Sequence, residues 1–216
     1  MTTASISSQT DNFWSFDFTA PSPNQDADLL EAMYFVPGLK EILMLRQVHA
    51  LEHATVWVLG DTANSPGASR FTTARISDND RLGGLSTERG FYLYGEVNAA
   101  QLHRAVRLAF QRLTGGEWDL AVHPRCGTNL SVGMLLGAGL ILGVHLLLPR
   151  NPIEQLLGLG LACTAATHLT PDLGSLAQRY LTTSIPFNLA IEDITATHDM
   201  WGRRSHFVRV RWRDLQ

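Results

Sequence analysis

The sequence predicts an α+β fold, in which a mixed helix and strand body sits on a two-helix transmembrane hairpin. Three observations lead there. Apolar residues recur at helical spacing over 39–59 and 98–113, and they alternate with polar ones over 91–97 and 206–212. From Leu130 to Pro149 the chain carries no charged residue, which is the length a membrane-spanning helix needs. Only 17% of the 216 residues are charged, against ~25% in average soluble chains.

Taken in order, residues 1–27 read as a disordered tail rich in Ser, Thr, Asn, Asp and Pro, with no secretory signal. Its aromatic cluster, Phe13-Trp14-Ser15-Phe16, is expected to dock on the body or at a membrane interface. The α+β body occupies 28–129. A short helix over 28–36 stops at Pro37-Gly38, and a long helix runs from Leu39 to Leu59, ending at Gly60. The long helix is apolar on most faces, the mark of a buried element. Arg46, His49, Glu52 and His53 in its middle have a reason to be there only if something pairs them. Residues 61–69 read as a loop and 71–77 as a strand. Residues 78–86, with Gly83-Gly84, read as a turn-rich connection to a second strand over 91–97. Asn98 caps the next helix, with Gln101 at the reciprocal position, and Gly115-Gly116 ends it. Trp118, Leu120 and Val122 alternate, which predicts a strand running into His123.

The hairpin occupies 130–170, with its turn near Arg150. Gly133, Gly137, Gly139 and Gly143 lie at G-x-x-x-G spacing, suited to a second copy or to a partner membrane helix. Pro171 is expected to end the second helix. Residues 171–216 then give an amphipathic helix over 173–181 and a closing β-hairpin over 190–197 and 206–212. Nearly all the arginines flank the hairpin on one side, so the positive-inside rule predicts an integral, two-span membrane protein with both termini cytoplasmic and membrane lipid around it. The formal net charge of -3 argues against a nucleic-acid partner. Cys126 and Cys163 do not make a disulfide framework, and Cys163 is expected in core or lipid.

The chemistry concentrates in two motifs. His49 and His53, at i and i+4 on one helix, share a face, and Glu52 lies beside them in an H-x-x-E-H pattern. This is the inverted zinc-hydrolase arrangement: two imidazole ligands with a glutamate as base for a metal-bound water. The second motif, His123-Pro124-Arg125-Cys126-Gly127-Thr128, offers two more ligands, His123 and Cys126, in a Pro/Gly turn. If both bind, the tetrahedral shell is closed and the site is structural. If only one binds, a water keeps the fourth position and the site is catalytic. Cysteine favours Zn2+ over iron or manganese. Arg125 would orient a carboxylate or substrate carbonyl, or pair with Glu52 or another acid. His145 is a buried contact within the hairpin or an additional functional group. His168 sits at interface height, while His103, His198 and His206 read as surface or sheet residues.

These two motifs, followed at once by the apolar run, resemble those of uncharacterised bacterial integral membrane proteins described as predicted metal-dependent enzymes. Together with Gly90-Phe91-Tyr92-Leu93-Tyr94-Gly95 and Gln178-Arg179-Tyr180, the layout over 30–182 is similar to a family of unknown function common in cyanobacteria. The resemblance implies that His49, Glu52, His53, His123 and Cys126 are functional positions. Inverted zinc proteases use a downstream acid as third ligand, and none stands out here. Two functions follow as expectations: a membrane-embedded zinc hydrolase, peptidases included, with Glu52 as general base; or a non-enzymatic membrane protein whose zinc staples its parts together for assembly or scaffolding of a membrane complex.

Overall fold

The computed structural model describes residues 21–64, 82–199 and 201–214. The aromatic cluster at 13–16 and the strand expected over 71–77 lie outside them.

The architecture is α+β. Helices α1 (Gln25–Ala32) and α2 (Leu39–Asn64) lead into strands β1 (Gly83–Thr87) and β2 (Gly90–Tyr94) and helix α3 (Ala99–Thr114). Helices α4 (Gly127–Leu147) and α5 (Pro152–Ala177) follow, then strands β3 (Leu189–His198) and β4 (Arg204–Trp212). The strands form one antiparallel sheet in the order β1-β2-β4-β3. Alternation sends Phe91 and Leu93 of β2, and Val208 and Val210 of β4, into the core. There they meet Val48, Leu51, Ala54 and Val58 of α2 and the one-sided stripe Leu102, Val106, Ala109 and Leu113 of α3. The Asn98 side chain caps α3 by accepting the Ala100 N–H.

Several expected boundaries move, each for a local reason. The first helix starts at Gln25, inside the segment assigned to the tail, because Asp26 is buried and accepts from Gln47 and Ser184. Helix α2 continues past Gly60 to Asn64. Gly83-Gly84, read as turn, are in strand β1, paired with Tyr94 and Leu93. Trp118–Ala121, read as strand, is a 3₁₀ turn. The carbonyls that a strand ladder would use are taken by side chains of α2: His53 contacts the Ala121 carbonyl and Trp57 donates to that of Val122.

Helices α4 and α5 form an antiparallel hairpin. Near its closed end Gly158 meets Val144 and Leu148; further along, Gly133 meets Thr170, and at the base Gly174 meets Asn129. Gly158, Ala162, Ala166 and Gly174 are the buried residues of α5, a small-residue stripe that lets the two backbones come close. Gly137, Gly139 and Gly143 face open space. Helix α4 has no buried residue, and among the described residues it is the one helix long and apolar enough to cross a membrane. Helix α5 falls short of that hydropathy because Glu154, Gln155, His168, Asp172 and a series of threonines interrupt it. The expected pair of spans therefore reduces to one by this measure. His145, on α4, is exposed rather than buried in the hairpin, and Cys163 and His168 are exposed on α5.

Pro171 does not end α5, and the amphipathic helix expected over 173–181 is not separate. The helix runs through to Ala177 and closes in a π-helical turn, Gln178–Thr182. What holds the chain in register beyond the proline is Gln178, fully buried, whose amide donates to Asn129 of α4 at 2.7 Å.

Candidate metal centre

The site lies where the body meets the base of the hairpin. Helix α2 supplies one face: Ile42, Leu45, Arg46, His49, Glu52, His53 and Val56 follow one another at helical spacing and all line a cavity of about 650 Å³. The turn at 123–128 closes a second side, β1 a third, and Leu181 and Thr182 a fourth.

His49, His53 and Cys126 come together, each offering a ligand atom within 4.8 Å of the others. Both imidazoles are oriented by backbone. His49 Nδ1 lies 3.0 Å from the Thr182 carbonyl, and His53 Nδ1 lies 2.7 Å from that of Ala121. A carbonyl can only accept, so each Nδ1 carries the proton and each Nε2 presents its lone pair. His49 Nε2 faces Cys126 Sγ at 3.3 Å. The cysteine is the N-cap of α4, and its sulfur accepts the Thr128 N–H at 3.4 Å.

Burial sets the charge states. It pulls His53 down to about 3, assisted by the nearby His49 and His123 and opposed by the Ala121 hydrogen bond, so the ring is neutral and ready to ligate. It also pushes the Cys126 thiol up, against the hydrogen bonds from Thr128, so the thiolate that a metal needs is released only when the metal displaces the proton.

Glu52 is buried at the edge of the same cavity. Burial raises its carboxyl above the usual range, opposed by the Ser86 hydroxyl, which donates to Oε2 at 2.7 Å, and by His49. Gly84 of β1 lies so close to the Glu52 side chain that a Cβ there would overlap it.

His123 stands against the cluster rather than within it. Its ring centroid is 5.5 Å from that of His53 and 4.8 Å from that of Trp57. Its Nδ1 accepts the Arg125 N–H at 3.3 Å, which puts the ring proton on Nε2, the opposite tautomer to His49 and His53. Arg125 is exposed and lines the cavity.

Several positions around the site were not foreseen. Arg46 donates to the Tyr180 and Thr183 carbonyls, fixing the π-helical turn that presents Thr182 to His49. Gln178 accepts the His123 N–H at 2.8 Å and so ties the ligand turn to the end of α5. A charged residue in an apolar helix was the one visible signal for Arg46. Thr182 and Ala121 act through backbone carbonyls, which leave no mark on residue type.

No solved structure matches the chain. An uncharacterised protein of Picosynechococcus sp. is 50% identical over 204 residues, which is 94% of this chain and 97% of that one. A family described as a domain of unknown function, DUF6391, matches residues 44–194, which include both motifs and the whole hairpin. With more than half of its length inside that match, the chain belongs to the DUF6391 family.

Proposed function

We propose that the protein is a membrane-anchored zinc hydrolase, with His49, His53 and Cys126 holding the metal and Glu52 acting as general base. The observation that carries this reading is the grouping of His49, His53 and Cys126: both Nδ1 atoms are committed to carbonyls, His49 Nε2 lies 3.3 Å from the Cys126 thiol, and ligand atoms of all three residues lie within 4.8 Å of one another. Mixed nitrogen and sulfur donors suit zinc, and a three-residue set leaves a fourth position open. Zinc so held supplies an activated water near neutral pH. The side chains do the rest. Glu52, steadied by Ser86, would take the proton of such a water as it adds to an acyl carbon and pass it to the leaving oxygen or nitrogen as that bond breaks. His123 with Arg125 backs the cluster and lines the entrance. The hairpin anchors the body to the bilayer through α4, the helix long and apolar enough to cross it.

The test is metal content and ester or amide turnover of the detergent-purified protein beside His49→Ala, Cys126→Ala and Glu52→Gln. A single zinc is expected in the wild type and in Glu52→Gln, with turnover lost in the latter, and both zinc and turnover lost in the other two. Zinc absent from folded, zinc-treated wild type, or full turnover in Glu52→Gln, would overturn the proposal.

A structural staple is the second reading. His49 and His53 belong to α2 and Cys126 to the start of α4, so a metal between them ties body to hairpin. Melting on chelation, with no turnover in the loaded protein, would select it.

A further inference from the structure

We infer that the cavity takes a lipid-type carboxyl ester directly from the bilayer, its acyl chain along Ile42, Leu45 and Leu181 and its carbonyl end at the His49, His53 and Cys126 cluster. The inference deepens the hydrolase reading and rests on it for the chemistry of the carbonyl end.

The first support is the make-up of the cavity along α2. On a single helix face Ile42 and Leu45 precede Arg46, His49, Glu52 and His53, so one stripe is apolar at its start and polar in its middle. His49 lies seven positions after Ile42, about 10 Å along the helix at 1.5 Å per residue. An amphiphile with its reactive group at one end and its tail at the other matches that order.

The second support is exposure. Ile42 is 55% exposed, Leu45 40% and Leu181 71%, although all three line the cavity. A polar site rimmed by large exposed aliphatic side chains marks an apolar ligand or a membrane face. Tyr34 and Phe35, exposed at the corner before α2, extend the same character.

The third support is position. Cys126 caps the first turn of α4, the helix long and apolar enough to cross a membrane. Thr182 closes the π-helical turn that ends α5, and Thr128 and Thr182 share a hydrogen bond of 3.1 Å across the base of the hairpin. The cluster is thus at the depth where the span begins. Leu181 lines the cavity, and it and Leu176 and Leu173 before it are all exposed, so apolar surface at this end of the hairpin is available to a lipid tail. A water-soluble peptide would gain nothing from that surface.

The test is photolabelling of the full-length protein in phosphatidylcholine nanodiscs, using a phosphatidylcholine with a diazirine in one acyl chain, followed by peptide mapping. Labels on 42–45 and 181, reduced about tenfold in Leu45→Arg and Leu181→Arg while labels on α4 persist, are expected. Both positions are exposed, so the arginine does not enter the core. Labels confined to the outer faces of α4 and α5 would overturn the inference, as would unchanged labelling of 42–45 in both variants. A parallel assay of the zinc-loaded protein on acyl esters keeps the two readings apart. Cavity labelling without hydrolysis would remove the hydrolase and leave a lipid site. Hydrolysis of soluble esters alone, without cavity labelling, would leave the hydrolase and remove the lipid site.

Discussion

The Glu52 side chain occupies the space where a Cβ at position 84 would have to be, so this carboxylate can reach its position only because residue 84 is glycine. Strand β1 is bonded to β2 on one edge and cannot retreat freely, and Ser86, two residues on, holds the carboxylate from the same strand. Gly84→Ala is therefore expected to displace Glu52 while leaving His49, His53 and Cys126 in place. Turnover should fall about 10²-fold, the scale of a lost general base. Zinc content should be unchanged. Wild-type turnover in Gly84→Ala would count against Glu52 as the base.

Arg46 acts on His49, a proposed metal ligand, at one remove. Its guanidinium holds the carbonyls of Tyr180 and Thr183, which bracket the Thr182 carbonyl that orients His49. Arg46→Met keeps most of the aliphatic stem and removes both hydrogen bonds. Groups that orient a ligand from behind contribute about 10–100-fold in metal affinity. A competition titration against a chromophoric chelator should show zinc bound about tenfold more weakly, with the loaded protein still folded. An unchanged affinity would mean that the π-helical turn holds Thr182 without help.

His53 makes the metal-free protein sensitive to acid. Folding lowers its pKa from 6.5 to about 3. Above 6.5 both folded and unfolded chains carry it neutral, and it contributes no pH dependence. Below 6.5 the unfolded chain binds a proton that the folded chain refuses, so stability falls as pH drops toward 3, at up to about 1.4 kcal/mol per pH unit. Melting temperatures of chelated protein between pH 7.5 and 4.5 should fall more steeply for wild type than for His53→Leu. Parallel slopes would show that this imidazole titrates normally.

Gln178 joins three parts of the structure through one amide. Its carbonyl accepts from the buried His123 N–H and its NH2 donates to the side-chain carbonyl of the half-buried Asn129. Gln178→Leu keeps the approximate volume and leaves the buried His123 N–H unpartnered, at about 1–3 kcal/mol. A clear drop in melting temperature is expected even without metal, and hydrogen exchange at the 123–128 turn should accelerate. A variant as stable as wild type would indicate that the turn finds other partners.

Much of this arrangement could be read from residues alone, and the exceptions share a cause. The apolar stripe of α3, the β3–β4 hairpin and the helical pair His49 and His53 were legible because side-chain periodicity determines them. Cys126 was legible because it stands three positions after His123 in a Pro/Gly turn, a common way to present ligands. Strand β1 was missed because Gly83-Gly84 has the composition of a turn, and its reason for being glycine lies in Glu52, thirty-odd residues earlier. The 3₁₀ turn at 118–121 was missed because alternation cannot show that its carbonyls are claimed by His53 and Trp57. Pro171 misled because a proline weakens a helix locally, whereas Gln178 restores it through a contact with α4. Where a backbone atom does the work, residue identity is silent, as with Ala121 and Thr182.

The π-helical turn also fixes an order of events during synthesis. The ribosome makes His49 early, but the Thr182 carbonyl that orients it emerges only after α4 and α5 are complete. Until then the His49 ring has no fixed tautomer and Arg46 no carbonyls to hold. A nascent chain interrupted anywhere within the hairpin thus lacks a finished centre, whatever metal the cell supplies. If the proposed metal binds, its loading would come last and report that both long helices have been made and brought together.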